Sequence, residues 1–300
     1  MIISASRRTD IPAFYSDWFF DKIKVGEVCI RNQYNPEKVT KISLNSKNID
    51  GIVFWTKNPL PMMNRLDMLI DYPYYFQFTV NPYDKDLQPN VPKNTIDIFK
   101  DLSNKIGKEK VVWRYDPIIL TDKYNINFHI NSFSKMCKEL HFYTNEVIIS
   151  FIDYYGHTKE NLKGINYKNV SEDDINKLME AFGLIANAYN LKINTCAESV
   201  NLDKYGIGHA HCIDKERLEN ICGYELNVCK DTSQRLMCGC MQSIDIGEYN
   251  TCLFGCKYCY ANTLIDISKI FHNPKSLFLL GDAMPNDIII NKKINSFRKK

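Results

Sequence analysis

Six short apolar runs alternate with amphipathic stretches over the first two hundred residues, and this alternation restricts the possible folds more than any other feature. The runs are Ile2 to Ala5, Gly51 to Thr56, Tyr75 to Val80, Lys110 to Tyr115, Glu146 to Ile152 and Leu191 to Cys196. Each is β-branched or aromatic and nearly continuous in apolar character, as strands covered on both faces are. Between them the pattern predicts helices near Tyr15 to Val25, Pro61 to Ile70, Thr95 to Ile106, Ile126 to Leu140 and Ser171 to Asn190. The last has the clearest signature. Ser171 offers an N-cap hydroxyl and Asp174 a first-turn acid, ahead of the stripe Ile175, Leu178, Met179, Phe182, Ile185, Ala186 and Tyr189.

Repeating βα units favour an α/β fold with a parallel sheet and right-handed crossovers. Six strands suit an open doubly wound sheet or a partial (β/α)6 TIM-like barrel. No Gly-x-Gly-x-x-Gly follows any of them, so a dinucleotide fold lacks its main support. The stretch Glu27 to Leu44, with Asn35-Pro36 between two β-like runs, predicts an inserted hairpin.

With no Pro/Gly-rich linker, the 300 residues read as one domain. Residues 1–196 supply the βα units, 197–262 a cysteine-rich region, and 263–300 a C-terminal helix with a solvated basic tail. A hydrophobic share of 45% with 24% charged residues excludes wholesale disorder. The net charge of +3 makes no case for an obligate nucleic-acid or membrane binder; nucleic acid stays an unfavoured partner. The first residues lack a basic start followed by a long apolar run, and no stretch approaches the ~18 apolar residues of a bilayer span. A cytoplasmic chain with reduced thiols is the expectation, and clustered cysteines there serve metal or redox chemistry.

Cys252, Cys256 and Cys259 form a C-x3-C-x2-C set that can point inward from one compact loop. Soft sulfur ligands fit an iron–sulfur cluster or zinc. Zinc fingers usually present two separated C-x2-C knuckles, so the spacing favours iron–sulfur, with one iron of a [4Fe-4S] cluster left open. Cys196, Cys212, Cys238 and Cys240 form a second candidate set, open to an auxiliary Fe–S cluster, a zinc ion or no metal. Cys29, Cys137, Cys222 and Cys229 read as plain thiols, His209 and His211 as turn residues, and Trp18, Trp55 and Trp113 as core.

Cys252-x3-Cys256-x-Tyr258-Cys259 resembles the radical S-adenosylmethionine (SAM) signature, and the run continues as Tyr260-Ala261-Asn262. The whole chain resembles a bacterial family known as domain of unknown function 1848. That resemblance runs through Ser4 to Asp10, Phe54 to Pro59, Trp113 to Pro117, Cys238-Gly-Cys240 and Ser243 to Gly247. It implies a partial radical SAM barrel in which a [4Fe-4S] cluster reductively cleaves SAM. The 5′-deoxyadenosyl radical so formed abstracts hydrogen from a substrate that the resemblance does not identify, as it does not identify the electron donor. The usual order places the cysteine loop after the first barrel strand, whereas here it lies in the last fifth of the chain. Circular permutation accounts for this, with Leu191 to Cys196 as the strand before the loop, pairing beside Ile2 to Ala5, and Thr263 to Phe271 as the helix after it.

Chemistry in a parallel βα barrel gathers at the C-terminal strand ends. Those positions are polar here: Ser6 to Asp10, Thr56 to Asn58, Thr79 and Asn81, Arg114 and Asp116, Asp153, and Glu198. Ser6, Arg8, Lys57 and Arg114 are the expected anchors for SAM or an anionic substrate, because Arg and Lys grip carboxylates and phosphates. A single such residue is as readily a turn or cap. The set favours an enzyme over the alternative, a non-enzymatic Fe–S or zinc module for sensing, scaffolding or nucleic-acid binding.

Overall fold

The computed structural model describes residues 1–154, 156–263 and 271–299. Along the chain run β1 (Ile2–Ala5), α1 (Ile11–Phe14), α2 (Ser16–Val25), β2 (Glu27–Arg31), β3 (Lys38–Ser43), β4 (Gly51–Thr56), α3 (Leu60–Met63) and β5 (Tyr74–Thr79). There follow α4 (Thr95–Ile106), β6 (Val111–Ile118), β7 (Leu120–Thr121), α5 (Ile126–Leu140), β8 (Glu146–Phe151), α6 (Gly156–Asn161) and β9 (Tyr167–Lys168). The remainder comprises α7 (Glu172–Ala188), β10 (Lys192–Thr195), β11 (Gly208–His209), α8 (Lys215–Cys222), β12 (Ile244–Asp245) and β13 (Ile288–Lys292).

The six expected strands form the body of one eight-stranded sheet, in the order β11-β10-β8-β6-β5-β4-β1-β12. Every pairing in it is parallel. The fold is therefore α/β on a large parallel sheet. From β1 to β10 the strand order follows the chain order, so each right-handed crossover returns to the same face. Phe54, Phe76, Phe78, Trp113, Tyr115, Val147 and Ile149 point to that face and pack on α2, α4, α5 and α7. Phe133 of α5 stacks on Trp113 at 5.4 Å and on Phe182 of α7 at 3.9 Å, joining sheet and helices through three rings.

Alternate residues face the other way, since strand side chains repeat every second position. Ile2, Val53, Tyr75, Val112 and Ile148 pack against Ala210, Cys212, Ile213, Leu218, Leu226, Cys238 and Cys240. The cysteine-rich region thus covers the sheet face that the helices leave open.

Several expectations are realised closely. The capping box of α7 forms between Ser171 and Asp174, and Glu27–Arg31 pairs antiparallel with Lys38–Ser43 as the inserted hairpin. The expected helix from Pro61 to Ile70 splits into α3 and a 3-10 turn at Leu66–Leu69. Pro61 sits in the first turn of α3, where its missing N–H is tolerated.

Two readings need correction. Leu191 to Cys196 does not pair beside Ile2 to Ala5: β10 pairs with β8 and β11, and β1 with β4 and β12. The strand before the cysteine loop is instead β12, where Ile3 pairs with Ile244 and Ser4 with Asp245. Two residues are too few for a periodic signal, which hides this neighbour of β1 in the sequence. The basic side chains of the tail, Lys292, Lys293, Arg298 and Lys299, are exposed, while its backbone and neighbouring residues are tied down. Ile288–Lys292 adds to the hairpin beside β3, and Phe297 N and Ser296 Oγ both donate to buried Asp50. Of the helix expected over Thr263 to Phe271, residues 264–270 lie outside the described residues.

Candidate functional site

The loop carrying Cys252, Cys256 and Cys259 closes on itself. Asn250 N donates to Ala261 O at 3.0 Å, and Asn262 Nδ2 donates to Cys252 O at 2.7 Å. Gly255, at φ +64°, turns the chain between the first two cysteines. The loop is then fastened over the C-terminal ends of the first strands. Tyr15 Oη donates to Thr251 O at 2.6 Å, Lys257 N donates to Leu87 O at 3.0 Å, and Phe14 packs on Phe254 at 4.6 Å.

Tyr258 is the loop's internal anchor. Its phenol oxygen receives Lys57 Nζ at 3.1 Å and Asn81 Nδ2 at 3.3 Å, and the Gln88 amide also donates to it. Lys57 follows β4 and Asn81 follows β5, so the strand ends are tied directly to the cysteine loop. Asp10, after β1, accepts Lys57 N at 2.7 Å and Ala13 N at 3.0 Å.

The three thiols act on one another electrostatically: Cys252 feels Cys259 and Cys256, and all three lie in a shell that also holds Asp10 or Lys57. Burial pushes the Cys252 thiol far up, Cys256 to about 11 and Cys259 upward as well. Cys256 is buried, while Cys252 and Cys259 remain partly open. Burial also raises the Asp10 carboxyl to about 7. Charged forms are disfavoured here unless a cation compensates them.

Across the sheet, Cys196 follows β10 and its Sγ lies 3.3 Å from Cys212 Sγ. Tyr75 Oη and Gln77 Nε2 donate to the Cys212 carbonyl at 2.6 and 2.9 Å, which docks this segment on β5. Arg114 Nη1 donates to Cys212 Sγ at 2.9 Å, and Nε donates to Asp116 Oδ2 at 2.9 Å. Arg114 therefore belongs to this second thiol group and is ion-paired, apart from the Cys252 loop. Among the described residues, no three or more His, Cys, Asp or Glu side chains stand in metal-holding geometry.

Ser6 and Arg8 lie between the two groups. Ser6 Oγ donates to Asp245, whose carboxylate also accepts Ser4 Oγ at 2.6 Å and Arg7 N at 2.8 Å. Gly247 must be glycine for this contact, since a Cβ there would come within 2.2 Å of Ser6 Oγ. The Arg8 guanidinium covers the Tyr249 ring at 5.2 Å. Arg8 and Tyr249, together with Arg7, Asp231, Ser243, Asp245 and Tyr260, line a polar cavity of about 200 Å³. A larger cleft of about 510 Å³ lies between α7 and the 204–206 turn, and no cysteine lines it.

Of the four expected anchors, the structure puts Lys57 at the cysteine loop and Arg8 at the cavity, Ser6 on the cavity's Asp245 without lining it, and Arg114 elsewhere. Arg7, Asp245, Tyr249 and Tyr260 join the cavity without being among those anchors. A strand of two residues gives Asp245 no periodicity to be read from, although Ser243 to Gly247 stands out as a motif.

No curated protein matches the chain. A solved structure from Bacteroides thetaiotaomicron VPI-5482, provisionally named an alpha-L-fucosidase, matches at 10% identity over 70% of this chain and 79% of its own, with a TM-score of 0.28. Residues 2–261 match the family described as domain of unknown function (DUF1848), and the chain belongs to that family.

Proposed function

We propose that this protein is a circularly permuted radical SAM-type iron–sulfur enzyme on a partial βα barrel. The observation that carries the reading is that Cys252, Cys256 and Cys259 share one closed loop, fastened over the C-terminal strand ends by Lys57 and Tyr258. The permutation is supported by β12, which precedes that loop and pairs with β1. Among the described residues no helix is long and apolar enough to cross a membrane, and all eleven cysteines are free thiols, which suits a reducing cytoplasm.

By donor chemistry, Cys252, Cys256 and Cys259 would suit a three-thiolate cluster that leaves one iron open. The donor set is soft, and Lys57 offsets part of the negative charge that thiolates bring. Among the described residues, three buried side-chain polar atoms lack a partner: Thr9 Oγ1, Thr158 Oγ1 and Asn262 Oδ1. Asn262 is in the cysteine loop, Thr9 lies beside Gly247, and Thr158 sits in α6, whose His157 and Asn161 bond Tyr260 O and Asn262 O. A buried polar atom without a partner, such as Asn262 Oδ1 in the cysteine loop, is what a polar ligand would satisfy.

When bound, the cluster supplies the electron that cleaves SAM to methionine and the 5′-deoxyadenosyl radical. This chain's residues hold and shield. Tyr258 and Lys57 fix the loop, Phe14 and Phe254 keep water from one side, and Arg7, Arg8 and Asp245 offer paired charges to a zwitterionic or anionic group in the cavity. Anaerobic reconstitution with iron and sulfide, followed by addition of SAM and dithionite, tests the reading. We expect 5′-deoxyadenosine to form, and the Cys256→Ala variant to form none. A reconstituted, folded protein that binds iron but yields no 5′-deoxyadenosine would favour the non-enzymatic module.

A further inference from the structure

Four cysteines from three stretches of chain meet on the sheet face opposite the helices. Cys196 follows β10, Cys212 precedes α8, and Cys238 and Cys240 belong to the loop before β12. The Sγ atoms of Cys196 and Cys212 are 3.3 Å apart, and the Cys240 side chain interacts with those of both Cys212 and Cys238. Neutral thiols gain little from such company, because S–H is a weak donor and sulfur a weak acceptor.

Guanidinium and backbone N–H groups reach these sulfurs. Arg114, only 6% exposed, donates to Cys212 Sγ at 2.9 Å. Ile213 N donates to Cys240 Sγ at 3.4 Å. Arg7 acts electrostatically on both Cys238 and Cys240. Four thiolates around a divalent ion leave two negative charges, and two guanidinium groups face them, Arg114 also paired with Asp116 and Arg7 with both Asp231 and Asp245. N–H donation to sulfur from guanidinium and backbone is the outer-shell support that metal thiolates require.

We propose that Cys196, Cys212, Cys238 and Cys240 form a closed four-thiolate site for one divalent ion of the zinc type, separate from the Cys252 loop. A tetrahedral ion with bonds of about 2.3 Å sets its sulfurs about 3.8 Å apart, close to the Cys196–Cys212 contact. A four-iron cluster instead places each ligand sulfur on a different iron, beyond direct contact. Cys196 and Cys212 are in contact, and Cys240 interacts with both Cys212 and Cys238, so side-chain rotations of these cysteines would complete the shell. The site fastens residues 197–243, whose regular structure is one short helix, a 3-10 turn and one two-residue strand. There, ion-binding free energy becomes folding free energy. The inference does not depend on the reading of the Cys252 loop.

The test is metal and sulfide analysis of the Cys252→Ala/Cys256→Ala/Cys259→Ala variant, purified without oxygen from zinc-supplemented cells. We expect about one equivalent of zinc, or of iron without sulfide, with four sulfur neighbours near 2.3 Å by X-ray absorption. Adding Cys238→Ser and Cys240→Ser should release at least nine-tenths of it. A folded triple variant without metal overturns the proposal, and so does one holding iron with sulfide. Should the triple variant not fold, X-ray absorption on the wild-type zinc decides: four sulfurs support the site, and three sulfurs or no zinc overturn it.

Discussion

Lys57, Asn81 and Gln88 all aim hydrogen-bond donors at the Tyr258 phenol oxygen, so removing that oxygen takes an acceptor from three groups, one of them charged, although Asn81 keeps Asp116 O. Tyr258→Phe should destabilise the chain by about 1–3 kcal/mol, measured by urea unfolding, because buried donors would lose their acceptor. An unchanged midpoint would mean that the phenol anchors nothing. His129 tests a different term. It is fully buried, with Nδ1 against Tyr115 Oη at 2.7 Å and Nε2 against Ile119 O at 3.0 Å. Burial drives its pKa from 6.5 down to about 4. Between those values the unfolded chain binds the extra proton and the native chain does not. Its contribution is therefore full above pH 6.5 and is lost as pH falls toward 4, by up to about 3 kcal/mol over the window. Asp10, raised to about 7, pulls the other way over the same range, so we expect the effect in the comparison: as pH falls from 7 to 5 the urea midpoint of the wild type should lose ground relative to that of His129→Gln. Equal slopes in the two proteins would remove His129 as the cause.

Helix α7 carries a glycine whose substitution should reverse the usual sign. Alanine normally stabilises a helix interior by about 1 kcal/mol over glycine. A Cβ at Gly183, however, would stand 2.3 Å from the Tyr205 carbonyl oxygen, a backbone atom of the turn at Asp203–Tyr205. Gly183→Ala should therefore lower stability by about 1–3 kcal/mol through overpacking, read as a lower thermal midpoint; a higher one would show that the turn yields freely. Elements of this length are legible in the sequence. The bounds of α4, α5, β1 and β4 agree with it to the residue, because runs of four or more apolar residues or several helical turns give a period to read. The cysteine loop is legible for another reason, since its spacing needs no neighbours to interpret. What escapes is short or distant. β12 has two residues, and the pairing of Ile288–Lys292 with β3 joins segments some 250 positions apart, information that no local pattern carries. Arg114 is legible as a strand-end cation, but its partners Cys212 and Gln77 come from other elements, so its side of the sheet is not.

At the scale of the whole molecule, stability should fall off from the sheet centre. β5 and β6 have long neighbours on both sides, whereas the edges β11 and β12 have two residues each, which also blunts edge-to-edge association. Hydrogen exchange should be slowest in peptides covering 74–79 and 111–118 and faster in those covering 224–243; the reverse order would place the stable nucleus in the cysteine region. The strand order has a consequence for how the molecule is made. A ribosome releases the N-terminal part first, and the first 195 residues contain the six long strands together with α2, α4, α5 and α7. The helical side can thus pack during synthesis, before the segment that covers the other side has emerged. In that interval the uncovered side offers water Ser4, Gln77, Arg114 and Ser150 among its apolar residues, which limits the sticky area of the half-made chain. The thiols that meet across that side, apart from Cys196, are the late arrivals of translation, so any metal they capture closes a scaffold already standing.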